Sequence, residues 1–242
     1  MGYLLLEGGA EFGGLMAEPD RLALDRAGGR DVSVRILPTA AAPDRNHTRA
    51  GANGKRWFAS LGATDVETVN VIDRASANDP TLVRELRSAK LIYLLGGFPA
   101  FTAQTLADSL AWQAALDAYR EGAVIAGSSA GAMILCEHFY DPYEGKLLKG
   151  LNLIPNACVL PHHKSAPHPW ADDLLRQLPN VTLLGLPEQT GMIDDGSSRA
   201  WTVHGRGEVT LYRGGTIQRF KRVETFSLKR LKTQAQNPGG VN

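Results

Sequence analysis

Two cysteines in 242 residues, Cys136 and Cys158, are too few for a disulfide framework, and nothing near them has the paired spacing of a zinc or redox motif. Free thiols and a cytoplasmic location are the expectation. Neither sign of charge is in excess: 26 basic against 25 acidic residues leave a net charge of +1, so no field favours nucleic acid or an anionic membrane. Long hydrophobic runs are also missing. The opening MGYLLLEGGA has too short an apolar run and no basic leader for a signal peptide, and no stretch approaches the length of a membrane span. Asn46-His47-Thr48 and Asn180-Val181-Thr182 match the glycosylation sequon, but with no secretory route in view they carry nothing. A small-molecule or peptide ligand is what these absences leave.

With 43% apolar residues the chain can bury a full core. Short apolar runs begin at Tyr3, Val32, Val66, Leu91, Ala123 and Val181, and amphipathic stretches lie between them, as in DPTLVRELRSAK with Leu82, Leu86 and Ala89 on one stripe. That alternation predicts an α/β fold: a doubly wound, mostly parallel sheet with helices on both faces. The Gly-bounded, period-two segment from Arg199 to Phe220 predicts a C-terminal antiparallel hairpin or meander on one edge. With no internal repeat and no Pro-, Gly- or Ser-rich linker, residues 1–228 read as a single domain and residues 229–242 as a polar, flexible tail. The polar stretch from Ala40 to Lys55 reads as a surface loop.

The segment AVIAGSSAGAMILCEH, residues 123–138, places G-x-S-x-G between a strand-type and a helix-type run. A serine on such a turn stands above the carboxyl ends of the strands with a helix N-terminus behind it. Ser129 is then the candidate nucleophile and the Ala130 N–H a candidate oxyanion donor. The plainer alternative is that glycines and serines here only permit a tight turn, so a base and an orienting acid must be found. His138 reads as lying two turns along the helix leaving Ser129, and His204 falls in the predicted hairpin. The strand-like run ending in Pro161-His162-His163 offers a base at a strand end, and VTLLGLPEQTG ends another strand at Glu188, which could accept the histidine Nδ1–H. Asp194 and Asp195 are weaker alternatives for the acid, because they follow Gly191 in an expected turn. The order serine, histidine, glutamate differs from the serine, acid, histidine order of α/β-hydrolases.

These residues resemble the Ser-His-Glu serine peptidase family of aspartyl dipeptidase (peptidase E) and cyanophycinase, whose fold is like class I glutamine amidotransferases. Gly127-Ser128-Ser129-Ala130-Gly131-Ala132 looks like its G-x-S-A-G-A, Leu160-Pro161-His162 like its histidine segment, and Gly185-Leu186-Pro187-Glu188 like its GLPE or GIDE. The resemblance implies catalytic Ser129, His162 and Glu188, with His162 preferred to His163, and an oxyanion hole from the Gly97 and Ala130 N–H groups. It also implies hydrolysis of a short peptide or amide through an acyl-enzyme, with no cofactor and no metal. YLLGGFPAFTAQTL departs from the family by carrying Phe98 and Pro99 where a polar pair is usual, and His163 and Lys164 replace an aromatic-then-arginine segment. Phe98, Pro99, His163, Lys164 and Gln189 are the expected substrate-binding residues. The expected partner is a small peptide, and a homodimer stays open. Two rival readings share the scaffold: a non-catalytic or altered-specificity binding protein, and an amidotransferase-like glutaminase, whose chemistry needs cysteine where Ser129 stands.

Overall fold

The structure, a computed structural model, describes residues 1–164, 169–196 and 200–228. The first half alternates strand and helix: β1 (Tyr3–Glu7), α1 (Ala17–Ala27), β2 (Ser33–Leu37), α2 (His47–Ser60), β3 (Asp65–Thr68), α3 (Pro80–Arg87), β4 (Leu91–Leu94), α4 (Pro99–Leu106), α5 (Leu110–Arg120) and β5 (Val124–Ser128). Helix α6 (Ala130–Leu135) and the hairpin β6 (His138–Asp141) and β7 (Lys146–Lys149) follow. Then come β8 (Ala157–Leu160), α7 (Pro169–Gln177), β9 (Thr182–Gly185), β10 (Thr190–Asp194), β11 (Ala200–Gly205), β12 (Val209–Arg213), β13 (Thr216–Phe220) and β14 (Thr225–Ser227).

Eight strands form the central sheet in the order β14-β11-β10-β1-β5-β4-β2-β3. The five from β1 to β3 are parallel, and β10, β11 and β14 extend the β1 side antiparallel. Strand β1 shows why the parallel part reads as continuous apolar runs. Leu5 packs on the face covered by α1 and α2, and Leu4 and Leu6 pack on the opposite face with α5 and α6 side chains, so both faces need apolar residues. The predicted doubly wound α/β fold is therefore present.

Three local expectations change. The run at Val181 forms β9 not in the central sheet but in a second one, ordered β13-β12-β9-β8, where it pairs parallel with β8. The predicted hairpin is β12–β13, closed by Gly214-Gly215 at φ 53° and 78° as a two-residue turn of that hand requires, and it joins this second sheet while β11 joins the first. Residues 47–55, most of the loop expected from Ala40 to Lys55, belong instead to helix α2, which runs on to Ser60. Its Gly51 and Gly54 weaken the helical signal in the sequence, yet a Cβ on them would lie 2.5 Å from Thr68 and 2.9 Å from Phe12, so they let the helix sit close against its neighbours. The expected tail, residues 229–242, lies outside the described residues.

Candidate active site

Strand β5 ends at Ser128 and α6 begins at Ala130, and the single residue between them, Ser129, turns the chain at φ 48° and ψ −112°. A non-glycine residue there is strained, at a cost on the order of 1–3 kcal/mol. Close packing enforces the small neighbours: a Cβ on Gly127 would lie 2.6 Å from Gly131, and one on Gly131 would lie 2.3 Å from Leu94 O. The glycines thus serve packing. The strain at Ser129 itself goes further, because packing alone gives no reason to raise its hydroxyl.

That hydroxyl meets a histidine. Ser129 Oγ lies 2.8 Å from His162 Nε2, and His162 Nδ1 lies 3.1 Å from Glu188 Oε1. His162 and Glu188 are 51% and 62% exposed, and a pair so exposed contributes about 0–1 kcal/mol to stability, which makes a structural staple a poor explanation for it. The three residues come from the ends of β5, β8 and β9, so the site bridges the two sheets.

The residues that bring them together went unread in the sequence. Three consecutive carbonyls at the end of β1 each take one N–H from a site segment: Glu7 O from Ser129 N at 3.0 Å, Gly8 O from His162 N at 2.8 Å, and Gly9 O from Gln189 N at 3.2 Å. A Cβ on Gly9 would lie 2.5 Å from His162 Cε1, so only glycine admits the ring. The visible signal was the pair Gly8-Gly9 directly after the first apolar run, but a glycine pair does not say what it leaves room for.

Behind this junction the Glu7 and Asp20 side chains are fully buried. Glu7 accepts from the Tyr93 hydroxyl, and Asp20 accepts from Trp57 Nε1 at 2.7 Å. Burial, then the charge of Asp20, pushes the Glu7 carboxyl well above its usual range; burial pushes Asp20 up to about 7. Glu11 is partly exposed and holds the Ser128 hydroxyl at 3.0 Å and the Gly96 N–H at 3.3 Å.

Ala130 follows Ser129 in the chain, Gly97 follows Gly96, on which a Cβ would lie 3.2 Å from Ser129 Cβ, and neither the Gly97 nor the Ala130 N–H has an acceptor among the described residues. Phe98 is half-buried and stacks on Tyr143 with ring centroids 4.5 Å apart. Tyr143 belongs to the β6–β7 hairpin, which Asp141 ties to the start of α4 by accepting from Ala100 N at 3.0 Å. Pro99 is buried as the first residue of α4. Lys164 is exposed, and Gln189 is half-buried beside Glu188.

Other expected placements are corrected. His163 does not face the cleft: it is 4% exposed, and its Nε2 lies 2.9 Å from the Tyr212 hydroxyl, because the chain turns at His162, whose φ is 52°, and the His163 N–H donates to Leu186 O at 3.0 Å. His138 is not on the elbow helix, which ends at Leu135; it opens β6. Asp194 is not in a turn but in β10, paired three positions along from Gly191, which lies opposite Glu7, and its Oδ1 accepts from Leu4 N at 2.7 Å. It therefore stands at the far end of the sheet from His162. The two thiols are buried, and burial pushes Cys158 up to about 12, which leaves neither of them a reactive thiolate. Among the described residues no three His, Cys, Asp or Glu side chains are grouped as a metal ion would require, and no helix is long and apolar enough to cross a membrane.

The model of peptidase family S51 matches residues 4–199 of this chain, a span holding every residue of the site. A cyanophycinase of Geminocystis herdmanii (strain PCC 6308) is 26% identical over 199 residues, covering 78% of this chain and 72% of its own. Among solved structures, a peptidase from an acI-B1 Actinobacterium superposes with a TM-score of 0.82 at 29% identity, covering 94% of this chain and 97% of that one. A peptidase E-like protein of Listeria monocytogenes EGD-e shares the fold at a TM-score of 0.61 and 19% identity, over 86% of this chain and all of its own.

Proposed function

Because the chain belongs to peptidase family S51, we propose that it hydrolyses short peptides or amides through an acyl-enzyme on Ser129. The observation that carries this reading is the run Ser129 Oγ, His162 Nε2, His162 Nδ1, Glu188 Oε1, with links of 2.8 and 3.1 Å. Ser129 attacks the substrate carbonyl as its proton passes to His162 Nε2. Glu188 accepts the Nδ1–H, which sets the tautomer and stabilises the imidazolium. The Gly97 and Ala130 N–H groups, which have no acceptor among the described residues, receive the oxyanion; one such donor is worth about 2.7–4 kcal/mol in the transition state. His162 then gives its proton to the leaving amine, and water, deprotonated by the same nitrogen, hydrolyses the ester.

Ser129 also argues against a glutaminase of the amidotransferase kind, whose attacking atom is a thiolate. A fluorophosphonate probe tests the nucleophile. Wild type should be labelled once per chain and Ser129→Ala should not be labelled, with both proteins keeping the same circular dichroism. Labelling that persists in Ser129→Ala would overturn the assignment.

A further inference from the structure

A cleft of about 710 Å³ opens between the loop after β1 and helix α2, lined by Glu11, Phe12, Asn46, Arg49 and Trp57 and ending at Gly96. Gly96 is the lining residue that comes close to Ser129. A Cβ on Gly96 would lie 2.8 Å from Glu11 Oε1 and 3.2 Å from Ser129 Cβ, so the Glu11 carboxylate and the serine both close on Gly96 with less than a methyl group's room between them. Glu11 is held there from both sides: its oxygens take the Gly96 N–H and the Ser128 hydroxyl, and the residues flanking it, Ala10 and Phe12, sit at φ 58° and 64°. Two neighbouring non-glycine residues in that region are a local strain that the rest of the structure must support.

A carboxylate offers about four acceptor positions, and two of these are filled by neutral donors. Neither Arg49 nor Arg56, which line the same cleft, forms an ion pair with Glu11, and no other cation does among the described residues. A glutamine could hold Gly96 and Ser128 equally well. The negative charge is surplus to the scaffold, and it lies in a cleft next to Gly96, within reach of a group bound close to Ser129.

Resting on the reading of Ser129 as the reacting residue, we infer that Glu11 determines specificity by binding a cationic group, ammonium or guanidinium, carried by the residue next to the scissile bond. The same chemistry comes from two sources, a free α-amino terminus or a lysine or arginine side chain, and the test separates them.

Binding is measured by calorimetry on Ser129→Ala, which holds the peptide without turning it over. Ala-Ala against acetyl-Ala-Ala reads the α-amino source. Acetyl-Lys-Ala and acetyl-Arg-Ala against acetyl-norleucyl-Ala read the side-chain source. A charge-assisted hydrogen bond corresponds to roughly 10- to 100-fold in affinity, so one pair should differ by at least about 10-fold. Adding Glu11→Gln should bring that ratio to within about twofold, and Glu11→Asp should restore part of it. General damage to the loop would weaken both members of a pair alike and leave the ratio unchanged. No cation preference in Ser129→Ala, or one that survives Glu11→Gln, overturns the inference. Because binding needs no turnover, failure of the fluorophosphonate test would sink the serine hydrolase reading while leaving this measurement to stand or fall by itself.

Discussion

His162 lies over Gly9 so closely that a Cβ there would be 2.5 Å from its Cε1, and Gly9 itself has φ 131°. Ring placement therefore depends on a residue with no side chain, two positions past the end of β1 and far away in sequence. Gly9→Ala should push the imidazole off Ser129 and lower kcat by about 100-fold or more, the scale expected of a misplacement near 1 Å. The Tm should fall only by the few degrees that a strained φ costs. A variant with wild-type kcat would show that the ring is not fixed by this contact.

Glu188 and Asp194 separate activity from stability. Glu188→Gln removes the acceptor that fixes the His162 tautomer and should cut kcat by about 100-fold or more with little change in Tm, since the pair is more than half exposed. Asp194→Ala strands the buried Leu4 N–H and should cost about 1–3 kcal/mol of stability while leaving kcat alone. Chemical denaturation and steady-state kinetics on the two variants check both halves; a loss of kcat in Asp194→Ala alone would reverse their roles.

The buried Glu7 and Asp20 carboxyls give stability a pH dependence. Both folded-state pKa values are raised, so the folded chain holds these protons more tightly than the unfolded chain. Their stabilising contribution is complete below about pH 4, the unfolded range, and is lost as pH rises through about 7 for Asp20. Relative to Asp20→Asn, the wild-type Tm should therefore decline between pH 5 and pH 8. Parallel melting curves for the two proteins over that range would refute it.

Phe98 stacks on Tyr143, which is 63% exposed, directly after Gly97. Such a stack is worth about 0.5–1.5 kcal/mol, so if it walls the substrate's path Tyr143→Ala should raise KM by about 2- to 10-fold with kcat and Tm nearly unchanged. An unchanged KM across a dipeptide panel would show that the stack only closes the hairpin onto α4.

Much of the site could be read before the fold was known, because its parts are local. A strand-to-helix turn announces itself through Gly127 and Gly131, and Pro161-His162 and Pro187-Glu188 each end an apolar run. The sequence is silent where a residue's role depends on a partner far along the chain. Gly51 and Gly54 looked like loop residues because the Thr68 and Phe12 side chains that demand them are distant, and Asp194 looked like a turn residue because nothing nearby shows that β10 lies beside β1.

The residue types and their order, serine then histidine then glutamate at the ends of apolar runs, follow from the sequence by itself, as does the α/β layering, since periodicity and turn chemistry are short-range properties. Tertiary structure alone decided that these ends meet. The carbonyls of Glu7, Gly8 and Gly9 collect Ser129, His162 and Gln189 from two different sheets, and a backbone acceptor carries no side-chain signature by which a sequence could disclose it. Tertiary structure likewise turned His163 inward to Tyr212 and set Glu11 beside Ser129, because the direction a side chain faces is settled by what packs around it.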